Sequence, residues 1–303
     1  MAHLTRTPAV AAVVAASILF ATTGTAQALA SRSLGYDLDP LAVGSVRVVA
    51  AGALLAAFAA LRGGLGFGDG SGMRGYVPAV WGGIGVAAYQ LGFFSGVQSA
   101  GVAAGTMIAL GSGPAFTGAL QWAVHRHRPG PVWAVSTVIA VAGMALIVAG
   151  TTGGSDSAGI LAGALPALIA GLGYAAYTVA GSSLLAAGAS PEAAMGQMFG
   201  LGGLFLIPVL VATWPGGLDT GPGAAAAVYL AIVPTVLAYL LFAAGLRRLP
   251  PATVATLTLT EPVVAALLGT AVLGEQLTLV AGLGMAAVVA SLAVLATSTL
   301  RSG

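Results

Sequence analysis

Cysteine is absent from the 303 residues, so no disulfide and no thiolate metal site can form. Lysine is absent too, and all ten cationic side chains are arginines. Charge of either sign is scarce, at 6% of residues, where a soluble domain carries roughly a quarter. Eighteen charged side chains cannot cover a chain of this length with a water-soluble surface. The net charge of +2 is spread over short segments, which excludes a basic domain for nucleic acid. The three histidines, His3, His125 and His127, fall in hydrophilic segments, so no metal cage within a membrane is expected. Also missing are a Walker loop, a Gly-x-Ser-x-Gly elbow, a string of voltage-sensing arginines and a carbonyl filter of the potassium-channel type. These absences argue against ATP hydrolysis, hydrolase chemistry and a bound cofactor or metal.

What remains is apolar. Hydrophobic residues make up 58% of the chain and the mean hydropathy is +1.00. The 46 glycines, with abundant alanine, suit helices that pack backbone to backbone in lipid. The fold class expected is therefore an all-α integral membrane protein with the lipid bilayer as its solvent. Ten apolar stretches of about 20 residues, each long enough for roughly 30 Å of hydrocarbon, are read at about 8–30, 41–61, 76–98, 102–124, 131–150, 158–181, 191–212, 223–246, 251–273 and 277–299. Turn chemistry such as Asp39-Pro40 and Arg128-Pro129-Gly130-Pro131 separates them. Arg6, the apolar run from Ala9 and the small residues Ala26 to Ala30 imitate a signal peptide. Cleavage there would remove the first helix of a repeat, so the segment is kept as a span.

The chain is written twice. Residues 104–114 end in Gly113-Pro114 and residues 252–262 end in Glu261-Pro262, an offset of 148. Ala88-Tyr89 and Ala238-Tyr239, and Gly24 and Gly173, echo at nearly the same spacing. Two units of five spans are expected, residues 1–150 and 158–303, joined by a linker at 151–157. An odd number of spans per unit makes the second inverted relative to the first. With the N-terminus in the cytoplasm, eight of the ten arginines (6, 62, 74, 126, 128, 247, 248 and 301) fall on the inner side. Arg32 and the acidic Asp37, Asp39, Asp156, Asp219 and Glu275 fall outside. Both termini are then cytoplasmic, in a cell membrane. Inverted repeats place a substrate site near the midplane between the two halves, although duplication can also simply enlarge a bundle.

Two charges lie within apolar spans: Glu261 near the middle of the ninth and Arg47 in the outer part of the second. A charge at mid-bilayer costs at least ~2.5–3.5 kcal/mol, so neither should face lipid. Glu261 is a candidate for proton coupling; alternatively it bonds backbone loosened by Pro262. Arg47 is a candidate contact for a substrate carboxylate, or snorkels to the interface. Neutral candidates are Thr22, Thr23 and Gln27 in the first span, Tyr89 and Gln90 in the third, and Thr106 and Ser112 in the fourth. Tyr174 and Tyr177 in the sixth share a face as a stacking surface, Tyr239 belongs to the eighth, and the ninth carries Thr256, Thr258 and Thr260, of which Thr256 and Thr260 are four apart and share a face. For each threonine, back-bonding within its own helix competes with a role at the site.

The run from Tyr229 through Pro234-Thr235 to Tyr239 and Phe242 resembles the eighth span of EamA-type members of the drug/metabolite transporter superfamily. It continues through Arg247-Arg248-Leu249-Pro250-Pro251, Glu261-Pro262 and Leu273-Gly274-Glu275-Gln276-Leu277-Thr278. Pro40-Leu41 followed by Arg47 is similar to the family's second-span signature. The chain departs from it at Thr23-Gly24, where many relatives carry tryptophan, and at Gly113-Pro114, where the first repeat lacks the carboxylate. The resemblance implies a secondary transporter that exports small metabolites, amino-acid-like or drug-like, by alternating access. An intramembrane lipid-modifying enzyme and a passive solute channel are the competing classes.

Overall fold

The computed structural model describes residues 3–36, 38–64, 76–151, 157–214 and 220–301, and these are helical apart from short connections. Residues 152–156 of the expected linker, Arg74, the three acids Asp37, Asp156 and Asp219, and the side chain of His3 lie outside the described residues. The first half runs α1 (His3–Leu34), α2 (Pro40–Arg62), α3 (Tyr76–Ala100), α4 (Val102–His125) and α5 (Pro131–Thr151). The second runs α6 (Ser157–Ala186), α7 (Pro191–Ala212), α8 (Gly221–Ala231) and α9 (Ala238–Leu246), then α10 (Pro251–Leu257), α11 (Thr260–Leu268) and α12 (Leu279–Arg301). A π-helical turn, Ile232–Leu237, joins α8 to α9, and a second, Gly269–Leu273, ends α11. The α8–α9 and α10–α11 chains each make one interrupted span. Ten spans as two inverted five-helix repeats result.

Among the described residues, nine spans are long and apolar enough to cross a bilayer by length and composition. The tenth, α4, is as long, carries Pro114 within it, and packs inside the bundle against α3, α5, α6 and α10. On the outside, side chains such as Val138, Leu161, Val211 and Leu279 are more than two-thirds exposed. Such a belt would be untenable in water and suits lipid.

Helix starts follow local chemistry. Asp39 accepts from the Leu41 N–H with Pro40 in the first turn, and Ser190 accepts from the Ala193 N–H ahead of Pro191. Gly101, at φ +83°, turns the chain from α3 into α4 in a single residue.

The two halves interlock. The most extensive pairings are α3 with α6, α2 with α7 and α5 with α12, and all three cross between repeats. Each rests on glycine. A Cβ on Gly85 would meet the Gly173 carbonyl, and one on Gly173 would meet the Tyr89 nitrogen at 2.6 Å. Gly52 lies on the Phe199 carbonyl, and Gly143 and Gly284 lie on each other's backbone. With lipid as apolar as leucine, this close van der Waals contact supplies the association that the hydrophobic effect cannot.

The second-half spans break where proline removes a backbone donor. Pro234 leaves the Leu230 carbonyl without its helical partner, and the Thr235 hydroxyl donates to it at 2.7 Å. Pro262 does the same to Thr258, whose carbonyl accepts instead from the Glu261 N–H at 2.9 Å. In hydrocarbon these repairs are required, since no water is present to make them.

The glycine contacts give a direct test. Gly173→Ala should lower stability by about 1–3 kcal/mol through overpacking, read as a fall in the unfolding temperature of the solubilised protein. Gly282→Ala, in open space on α12, should leave that temperature unchanged or raise it.

Candidate functional site

A cavity of about 1000 Å³ lies between the repeats. Its mouth is built by Arg32 and Tyr36 at the end of α1, Pro40 at the start of α2, Val102 at the start of α4, and Leu273 and Glu275 after the second π-helical turn. Away from this mouth its lining is a floor of aromatic rings. Eight of the sixteen Phe and Tyr side chains line it, so an aromatic or apolar body meets ring surface on several sides.

The floor is a ring cluster with hydroxyls that bond one another. Tyr174 and Tyr177 sit on one face of α6 with centroids 5.1 Å apart, as their spacing predicts. Tyr89 of α3 lies 6.3 and 6.0 Å from them, and Tyr239 of α9 lies 5.9 Å from Tyr177. The Tyr177 and Tyr239 hydroxyls bond at 3.1 Å. Tyr174 bonds Thr258 at 2.7 Å, and because the Thr258 hydroxyl donates to the Ala255 carbonyl, Tyr174 is the donor. Phe20 and Phe199 close on Tyr239 at 4.8 and 4.2 Å. Beneath them Phe242, Met195 and Met198 are fully buried, so the cavity ends there.

Two unlike charges share this cavity. Glu261 enters in the first turn of α11, held there because α10 stops at Leu257. The break is knitted by hydroxyls: Thr258 donates to Ala255 and Thr260 to Leu257. Arg47 reaches in from α2, its Nη2 donating to Gln90 Oε1 at 3.1 Å. The Arg47 Nε and Gln90 Nε2 atoms are buried and have no hydrogen-bond partner among the described residues. Both side chains also line a recess of about 10 Å³ beneath the cavity, with Tyr89, Tyr177 and Tyr239. That is room for about one water. Arg47 and Glu261 line the same cavity without forming an ion pair with each other.

Of the residues singled out from sequence, Thr23, Gln27, Arg47, Tyr89, Thr106, Tyr174, Tyr177, Tyr239 and Glu261 line the cavity. Thr22 does not; its hydroxyl donates to the Leu19 carbonyl. Ser112 donates to Ala109 and packs on Gly171. Gln90 stands behind the wall as the partner of Arg47. Thr256 and Thr260 do not share a helix face, because the span breaks between them. Thr256 is fully buried against Thr137 at 2.8 Å, and Thr260 bonds back to its own turn. Back-bonding wins at these positions because a hydroxyl in an apolar helix always has a carbonyl within reach. Thr258, third of the threonines of that span, lines the cavity as well, and Phe20, Phe93 and Phe94 line it unforeseen. Thr258 stands out in sequence only as one of a run of threonines; what distinguishes it is Tyr174, 84 residues earlier.

A family model described as the EamA-like transporter family matches residues 7–149 and, again, 161–297. The chain belongs to the EamA-like transporter family. It is 34% identical over 286 residues to an uncharacterized transporter, YwfM, of Bacillus subtilis (strain 168), across 93% of this chain and 92% of that one. A solved protein structure at 20% identity shares the fold, with a TM-score of 0.79 over 98% of this chain and 99% of its own. The protein is thus a multi-pass membrane transporter of the drug/metabolite transporter superfamily, and family and relative alike point away from an enzyme. In this transporter the position of Glu261 in the first repeat is Gly113, and the missing side chain makes room for the Tyr174 ring.

The hydroxyl pair at the floor of the transporter's cavity has a measurable signature. Tyr177→Phe and Tyr239→Phe should each cost about 0.5–1.5 kcal/mol. The double variant should cost little more than either alone, because both remove one bond. Chemical unfolding of the solubilised protein checks this, and additive losses would refute the pairing.

Proposed function

We propose that this chain is a secondary active transporter that exports small amino-acid-like or drug-like solutes across the cytoplasmic membrane by alternating access. One observation carries the reading: the span-end residues that line the cavity all belong to one end of the bundle, and the lining also holds a cluster of aromatic rings, Arg47 and Glu261. A continuous channel would not need such a floor. Residues 1–150 and 158–303 act as the two moving units, and the protein works with N- and C-termini in the cytoplasm. The arginines support that orientation. Arg6, Arg126, Arg128, Arg247 and Arg248 gather at the sealed end, while Arg32, Asp39 and Glu275 stand at the open one. The state described is then outward-open.

In this reading Arg47 holds the acceptor end of the solute, the tyrosine floor its apolar body, and Glu261 its cationic end. Thr23, Gln27 and Thr106 complete the polar wall. Glu261 also takes up and releases the coupling proton, because it is the acidic group deepest in the cavity.

The reading is tested in two steps. Solutes are found by a thermal-shift screen of the purified transporter against amino acids, polyamines and common drugs, since a bound solute stabilises with occupancy. Uptake of the best stabiliser into proteoliposomes should then saturate and show counter-transport. Glu261→Gln should bind it more weakly, because the partner of its cationic end is neutralised, and lose most of the pH dependence of its flux. Unchanged pH dependence would remove proton coupling through Glu261, and flux without saturation would favour a channel.

A further inference from the structure

The sealed end is held at one short helix. α10 begins at Pro251, so the Ala252 N–H has no partner within its own first turn. Gln121 of α4 supplies one: its Oε1 accepts from that N–H at 2.9 Å. Gln121 is 1% exposed, and its Nε2 donates to the His127 carbonyl at 3.3 Å. Trp133 of α5, its ring seated on Gly118, donates from Nε1 to the Ala252 carbonyl at 2.9 Å. Thr137 of α5 pairs with Thr256 of α10 at 2.8 Å. Three hydrogen bonds therefore tie the first half of the interrupted span to two helices of the other repeat.

The repeat offset of 148 carries this arrangement to the open end, where every hydrogen-bonding side chain of it changes. Gln121 becomes Gly269, Trp133 becomes Ala281 and Thr137 becomes Met285; their targets Ala252 and Thr256 become Ala104 and Ile108. None of the three bonds can be rebuilt from these equivalents. His127, however, becomes Glu275, and Glu275 folds its carboxylate onto Gly269 so closely that a Cβ there would overlap it. An acceptor thus fills at the open end the space that the Gln121 amide fills at the sealed one. Across the mouth stands the first turn of α4 at Val102, and its cap, Gly101, offers no side-chain acceptor.

We infer that Gln121, Trp133 and Thr137 are positioning residues that latch the sealed end. By the same token, Glu275 is their counterpart at the mouth, accepting from the first-turn N–H groups of α4 when that end closes. The latches differ in chemistry: three neutral hydrogen bonds hold one end, a single carboxylate at a helix start the other. The chain so biases itself toward the state described. This rests on the alternating-access reading, and its test separates the two.

Because the chain has no cysteine, a single Thr253→Cys reporter suffices. Thr253 is buried in α10 at the sealed end. Its labelling by a small charged thiol reagent is followed in nanodiscs, where both faces are accessible. Gln121→Leu should raise the labelling rate about three- to tenfold, the worth of one net hydrogen bond. Trp133→Phe, which keeps the ring and loses the donor, should move it in the same direction. In the Gln121→Leu background, Glu275→Ala should bring the rate back down, while Glu275→Gln, which retains an acceptor, should not. Thr106→Trp, a wedge in the open cavity, should also suppress it.

An unchanged rate in both Gln121→Leu and Trp133→Phe overturns the inner latch. No effect of Glu275→Ala overturns the outer one. An increase that Thr106→Trp fails to suppress leaves the latch standing and overturns alternating access, since the two ends would then open independently.

Discussion

In hydrocarbon a backbone N–H or C=O without a partner costs several kcal/mol, and water is not there to help. The continuous spans meet this constraint within themselves. The interrupted ones meet it with side chains. Thr235 covers the carbonyl that Pro234 orphans, Thr258 and Thr260 cover the break before Pro262, and the Glu261 N–H takes the last free carbonyl. Only because these repairs exist can the ninth span stop at Leu257 and restart at Thr260. That restart is what brings a carboxylate within an apolar span to a cavity rather than to lipid. At the cytoplasmic side of the proposed orientation the same constraint recurs, as Gln121 satisfies the first turn of α10.

The second determinant is close packing between copies. Helices joined across the repeats meet at Gly85 and Gly173, at Gly52 and Phe199, and at Gly143 and Gly284. These contacts hold the scaffold symmetric, and the functional differences collect where the copies diverge. Gly113 opposite Glu261 is one such place, since the first copy gives up its carboxylate to seat the Tyr174 ring. Gly269 opposite Gln121 is another, with a carboxylate from Glu275 moved into the vacated space. Substitution by glycine thus has two uses here: it lets backbones touch, and it hands a position over to a side chain from elsewhere.

The cavity brings ring surface and two opposite charges together. The Tyr177–Tyr239 hydroxyl pair and the rings around it make a floor that is apolar to the touch yet internally satisfied. Arg47 is held by Gln90 from behind, which keeps the guanidinium in the wall instead of at the membrane surface.

Composition and the length of its apolar runs decide that this chain lives in a bilayer, and a repeat of five spans, an odd number, decides that its halves are inverted. The reason is that both follow from local physics: span length, charge scarcity, and proline and glycine at fixed spacing. The charged positions were legible as well, because a lone Glu or Arg in an apolar span is conspicuous. The neutral ones were only partly so. Tyr174 and Tyr177 announce a shared face by their spacing, but nothing in the sequence tells Thr106, which lines the cavity, from Ser112, which does not. Nor does it place Thr258 rather than Thr256 beside Tyr174. Those distinctions belong to the tertiary structure, because they turn on which face of each helix meets the other repeat and on where the ninth span breaks.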